Sequence, residues 1–72
     1  MSKASIRASI ASKQASVKAI RADIATVRSR KSSSKDKSYK AYCDSQIRNY
    51  QSRIAALQRE IASLRERMKY EK

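Results

Sequence analysis

The sequence predicts an all-α fold: an antiparallel two-helix hairpin of the coiled-coil type, expected to self-associate into a helical bundle. Three observations carry this expectation. The chain contains no Gly, Pro, Trp, Phe or His, so strand and turn punctuation is nearly absent and the apolar period is helical rather than two. A seven-residue pattern runs through four consecutive blocks, breaks, and then runs through four more. The break, Ser33 to Ala41, is nine residues long, seven plus two. At about 100° per residue, the two extra places turn the apolar stripe by roughly 180°. One unbroken helix would carry its two stripes on opposite faces, whereas a turn in the break folds one stripe onto the other. The alternative architecture is a long bent or continuous rod that pairs with other chains.

The first helix is expected over about residues 3–30. Its blocks, SIRASIA, SKQASVK, AIRADIA and TVRSRKS, place Ile6, Ile10, Val17, Ile20, Ile24 and Val27 on one stripe at spacings built from four and three. Lys13 and Lys31 occupy seam places in the same series, where lysine lowers stability and sets register or limits how many helices associate. A second stripe at similar spacing is made of Ala4, Ala8, Ala11, Ala15, Ala22 and Ala25, interrupted by Lys18. Alanine is the best helix former and suits exposed places; the same face would also let a further helix approach closely. Arg7, Gln14, Arg21 and Arg28 run along one edge between the stripes, and Ser5, Ser9, Ser12 and Ser16 along the other.

A basic, Ser/Lys-rich turn is expected over about residues 31–37, with Ser34, Asp36 or Ser38 as the cap of the second helix. That helix is expected over about residues 38–70. Its blocks, YCDSQIR, NYQSRIA, ALQREIA and SLRERMK, supply the partner seam: Ile47, Tyr50, Ile54, Leu57, Ile61, Leu64 and Met68. Isoleucine takes a places and Leu57 and Leu64 take d places, as in coiled-coil seams. Asp44 and Arg48 stand at i,i+4 in the favourable order. Cys43 falls on the stripe and reads as a small core residue rather than a reactive thiol. Two helices leave a two-sided seam partly open, so association is expected, most simply as a dimer forming a four-helix bundle.

Eighteen Lys and Arg against six Asp and Glu give a formal charge of +12 in 8.2 kDa. Such density calls for an anionic partner: nucleic acid, an acidic protein surface or anionic lipid. Ten of the basic residues and two acids fall in Met1–Ser38, a net +8 in that half. Arg28, Arg30, Lys31, Lys35 and Lys37 gather at the expected tip, beside Tyr39 and Tyr42, and with Arg7 and Arg21 they form the expected anionic-partner contact. Basic residues release counterions from phosphates, and an exposed Tyr stacks on a base. The basic residues are dispersed and match no base-reading motif, so any nucleic-acid contact is expected to be to the backbone.

The same inventory points away from catalysis. Without His, and with acids that alternate with Arg and Lys on a helix surface, no nucleophile–base pair or carboxylate pair is set up, and no catalytic residue is assigned. One cysteine without His gives neither an internal disulfide nor an ordinary zinc set, and no cofactor is expected. The longest apolar run, Ile54 to Leu57, is far too short to span a bilayer or to act as a signal-peptide core. The chain is therefore expected in the cytoplasm or inside a virus particle, with signal-independent export left open.

In size and two-helix plan the chain resembles the small helical partners of type VII secretion. Their Trp-x-Gly turn is impossible in a chain with neither residue, so the resemblance covers shape alone. The functional expectation is a small basic coiled-coil structural or adaptor protein whose cationic surface meets an anionic partner. The alternatives are a DNA- or RNA-binding protein without sequence preference, and a small inhibitor occupying an anionic groove of another protein.

Overall fold

The computed structural model describes residues 2–71. Two helices, α1 (Lys3–Ser33) and α2 (Lys37–Met68), pack along their whole length in a hairpin whose principal extents are 56 × 14 × 11 Å. The fold is the all-α hairpin that the two heptad arrays call for.

Both helices start on a side-chain cap. Ser2 Oγ accepts from the Ser5 amide at 3.1 Å. Asp36 Oδ1 accepts from the amides of Ser38 at 2.9 Å and Tyr39 at 3.4 Å. These caps satisfy amides that the first turn of a helix leaves without a carbonyl partner.

Helix α1 runs three residues past the expected end at 30, and the turn shrinks to Ser34, Lys35 and Asp36. Ser33 Oγ donates to the Ser29 carbonyl at 3.1 Å, and the Ser34 amide donates to the Lys31 carbonyl at 3.2 Å, closing the last turn. Ser34 and Asp36 are both extended, at φ −92° and −84°. Among the described residues none has positive φ. A reversal that needs no left-handed residue has no need of glycine. At the far end α2 stops at Met68, and the last carbonyls are taken up by the tight turn through Glu71.

The core forms two apolar clusters. Near the turn, Ile24, Val27, Cys43 and Ile47 are buried, with Ile20, Tyr39, Tyr50 and Ile54 packed on them. Near the open end, Ile6, Ile10 and Ile61 are buried, with Leu64 and Met68 against them. Val17 is also buried and Leu57 half-buried between the two clusters. Cys43 is 1% exposed, a packed thiol in the turn-proximal cluster.

Register comes from two ion pairs across the seam. Lys13 Nζ reaches Glu60 Oε2 at 2.8 Å, and Lys31 Nζ reaches Asp44 Oδ1. Positions therefore fall one for one along α2 as they rise along α1, bringing Val17 level with Leu57 and Ile24 level with Tyr50. Asp44 is taken by Lys31 on the other helix rather than by Arg48 along its own.

Candidate functional site

The seam divides each helix into two flanks, and the hairpin into two long edges. On α1 the row Arg7, Gln14, Arg21 and Arg28 recurs every seven residues, and on α2 so does the row Asp44, Gln51, Gln58 and Arg65. Equal spacing on antiparallel partners lays the two rows along the same edge.

Three shallow grooves follow this edge in series. The first, toward the open end, lies over Val17 and Ile61, with Lys18, Arg21, Gln58 and Arg65 at its rim. The second lies over Ile24 and Ile54, between Arg21, Arg28 and Gln51. The third, nearest the turn, lies over Ile47 and is lined by Arg28, Lys31, Lys40 and Asp44. From Gln14 to Ser32 the edge runs about 27 Å at ~1.5 Å per residue. Its grooves carry six cations and one acid, Asp44, which Lys31 neutralises. Cations of one sign held along a groove add their fields and draw in an anionic chain.

The opposite edge differs in charge and in surface. Lys13 and Glu60 pair there, and nearer the turn opens a groove lined by Gln46, Asn49, Tyr50 and Arg53. The Arg53 guanidinium carbon lies 5.7 Å from the centre of the Tyr50 ring, within range of cation–π attraction. Asp23, Arg30 and Arg67 follow the heptad onto this edge, so both signs alternate along it.

The residues assigned to an anionic contact from the sequence separate into three settings. Arg7, Arg21 and Arg28 are exposed along the cationic edge. Arg30, Lys35 and Lys37 are exposed around the turn. Lys31 is half-buried and committed to Asp44, which makes it a seam residue first. Lys18, Lys40 and Arg65 join the edge without having been singled out. The signal for Arg65 was present, since it stands seven residues after Gln58 in a row that antiparallel pairing puts opposite Arg7, Arg21 and Arg28.

Near the turn, the rings of Tyr39 and Tyr42 lie 6.3 Å apart at 40°. Tyr42 is 57% exposed, and its phenolic oxygen accepts from Gln46 Nε2 at 3.0 Å. The Tyr39 phenol is pushed above its ordinary pKa, first by its hydrogen bond with Cys43 and then by desolvation. Among the described residues no group of three or more His, Cys, Asp or Glu is placed to hold a metal ion, and no helix is long and apolar enough to cross a membrane.

Comparison with family models, with curated proteins and with solved structures gives no match.

Proposed function

We propose that this protein is a small basic coiled-coil adaptor that self-associates and meets an anionic partner along its cationic edge. The observation that carries the reading is the segregation of charge. Lys18, Arg21, Arg28, Lys40 and Arg65 line one edge on which the single acid is already paired, while other acids lie with cations on the opposite edge. A charge that served solubility alone would have no reason to sort itself between two edges of one rod. Arg is well suited to such contacts, because its planar donors bind carboxylates and phosphates in pairs.

A second reading makes nucleic acid the partner. It is favoured by Tyr42, exposed beside Arg30, Lys35 and Lys37 around the turn, where a ring could stack on an unpaired base while the cations hold phosphates.

One experiment separates the two. Fluorescence anisotropy of the full chain is measured against labelled poly-glutamate, single-stranded DNA and duplex DNA at ~50 and ~500 mM salt. The adaptor reading expects the acidic polypeptide to bind, and Arg21→Gln with Arg28→Gln to weaken it. Preference for single-stranded DNA, lost in Tyr42→Ala, would move the assignment to nucleic acid. Indifference to every polyanion at low salt would remove the anionic-partner reading altogether.

A further inference from the structure

We propose that the mixed-charge edge, the one carrying Tyr50, Leu57 and Leu64, is the seat of a second copy of this chain. The inference deepens the self-association in the reading above and is independent of which anion the other edge takes.

The first support is apolar. The a places facing the cationic edge are mostly closed: Val17 is 5% exposed, Ile24 6%, Ile47 9% and Ile61 6%. The d places facing the mixed edge are closed at Ile6, Val27 and Cys43, but Ile20, Tyr50, Leu57 and Leu64 are half-buried, against Ile54 and Met68 alone among the apolar a places. Tyr50 lines the groove on this edge, and a facing hairpin would remove all four side chains from water. The mixed edge therefore leaves more apolar seam residues half-buried than the cationic edge does, four against two.

Charge decides the occupant. Two copies meeting through their cationic edges would bring Arg21 and Arg28 against like charges, which disfavours that pairing. On the mixed edge a copy meets its own complement. Consider a two-fold axis parallel to the helices, which sets every neighbouring pair of helices antiparallel in a four-helix bundle. The two copies then share one level along the axis, and α1 of each lies beside α2 of the other. Asp23 stands about half a turn from the level of Arg53 in the register fixed by Lys13–Glu60 and Lys31–Asp44. Asp23 of one copy accordingly faces Arg53 of the other, and the symmetry makes this contact twice. Asp23 and Arg53 are both exposed in the hairpin, so neither is needed to hold the fold together.

The arrangement also has a consequence for function. Two hairpins joined through their mixed edges turn their cationic edges outward in opposite directions. A dimer of this kind presents two separate polyanion-binding rods and bridges two anionic chains rather than clamping one.

The test is the mass in solution of the full chain, by light scattering across a concentration series at ~150 mM salt, for the wild type and four variants. Asp23→Arg and Arg53→Glu should each weaken dimerisation about tenfold or more, and the double exchange Asp23→Arg with Arg53→Glu should recover most of the loss. Arg28→Glu, on the cationic edge, should leave the dimer unchanged. Far-ultraviolet circular dichroism checks that each variant keeps its helix content. A wild type that remains monomeric up to millimolar concentration overturns the proposal. So does a dimer that ignores both single exchanges, or one that Arg28→Glu alone disrupts. Because no polyanion is added, the result stands apart from that of the binding experiment.

Discussion

Lys13 and Glu60 are held 2.8 Å apart across the hairpin, although 47 positions separate them in the chain. Lys13 occupies a seam place level with the buried Ile61, so its aliphatic stem runs beside the core while its ammonium leaves the seam to reach the acid. The pair is 31% and 54% exposed at its two side chains, open enough to water that its strength is modest. Its value lies in alignment. A slip of one residue would move Glu60 to another side of α2, and a slip of seven would put a different layer opposite the lysine. Lys31 and Asp44 repeat the device near the turn, so the first heptad array carries two charged seam places, each matched to one acid on the flank of the second.

Lys13→Leu should make the hairpin more stable and less exact. A leucine would join the cluster around Ile6, Ile10 and Ile61 to Val17, adding about 1 kcal/mol of net apolar burial once the lost ion pair is subtracted. Glu60 would stay solvated and add little penalty. Urea unfolding should show the higher midpoint. Light scattering should show masses beyond the wild-type species, because the seam would no longer exclude other pairings. A lower midpoint would mean that the ion pair contributes more than register.

Ile61→Ala and Leu57→Ala should respond differently to protein concentration. Ile61 is 6% exposed, and its truncation leaves a cavity within the hairpin costing about 2–4 kcal/mol at any dilution. Leu57 is half-buried, so in a dilute monomer its truncation costs less. If a second copy covers Leu57, its cost should climb as concentration rises, since the dimer gains stability by mass action and the variant loses that gain. Thermal melts at ~5 and ~200 µM compare the two conditions. Equal shifts for Leu57→Ala at both would place that side chain outside any interface.

Asp36→Ala should destabilise the hairpin by about 1 kcal/mol through loss of the α2 cap. Asp36 accepts from two amides, those of Ser38 and Tyr39, and its own amide donates to Ser34 Oγ at 3.1 Å. It therefore closes the turn as well as starting the helix. Asp36→Asn, which retains an oxygen acceptor, should recover most of the loss in a circular-dichroism melt. Equal damage from both replacements would assign the effect to charge rather than to the cap.

What the sequence conveyed, and what it withheld, follows from the physics of each feature. The 4-3 spacing of Ile54, Leu57, Ile61 and Leu64 declares a packing stripe whatever its partner is, and the nine-residue break makes a fold-back the consistent solution. Helix ends are weaker signals. Asp36 is a strong cap residue and marks the start of α2. Lys31, Ser32 and Ser33 suit a helix end as well as a turn, and α1 continues through them. The cationic edge was half legible, because Arg7, Arg21 and Arg28 share a row on one helix. Lys40 and Arg65 join that row only once α2 lies antiparallel in one register, which depends on pairs such as Lys13–Glu60 that lie far apart in the chain. Charge counted along the sequence made Lys31 part of a basic cluster; its contact with Asp44 is tertiary.

Lys31→Gln and Arg28→Gln should therefore separate, although the two side chains lie within one turn of each other. Arg28 is exposed and borders two of the three grooves, so its replacement should lower polyanion affinity and reduce the salt slope by about one counterion. Stability should change little. Lys31 is half-buried and bound to Asp44, and its replacement removes one cation while releasing one acid into the same groove. The stability cost should stay within about 1 kcal/mol, since both partners are partly solvated. Binding should also fall, because the freed Asp44 carboxylate now opposes the anion, but Arg28→Gln/Lys31→Gln with Asp44→Asn should bind more strongly than the same pair with Asp44 left in place. Anisotropy against poly-glutamate over a salt series reads all three. If Asp44→Asn restores nothing, Asp44 lies outside the path of the anion, and the contact ends before the groove over Ile47.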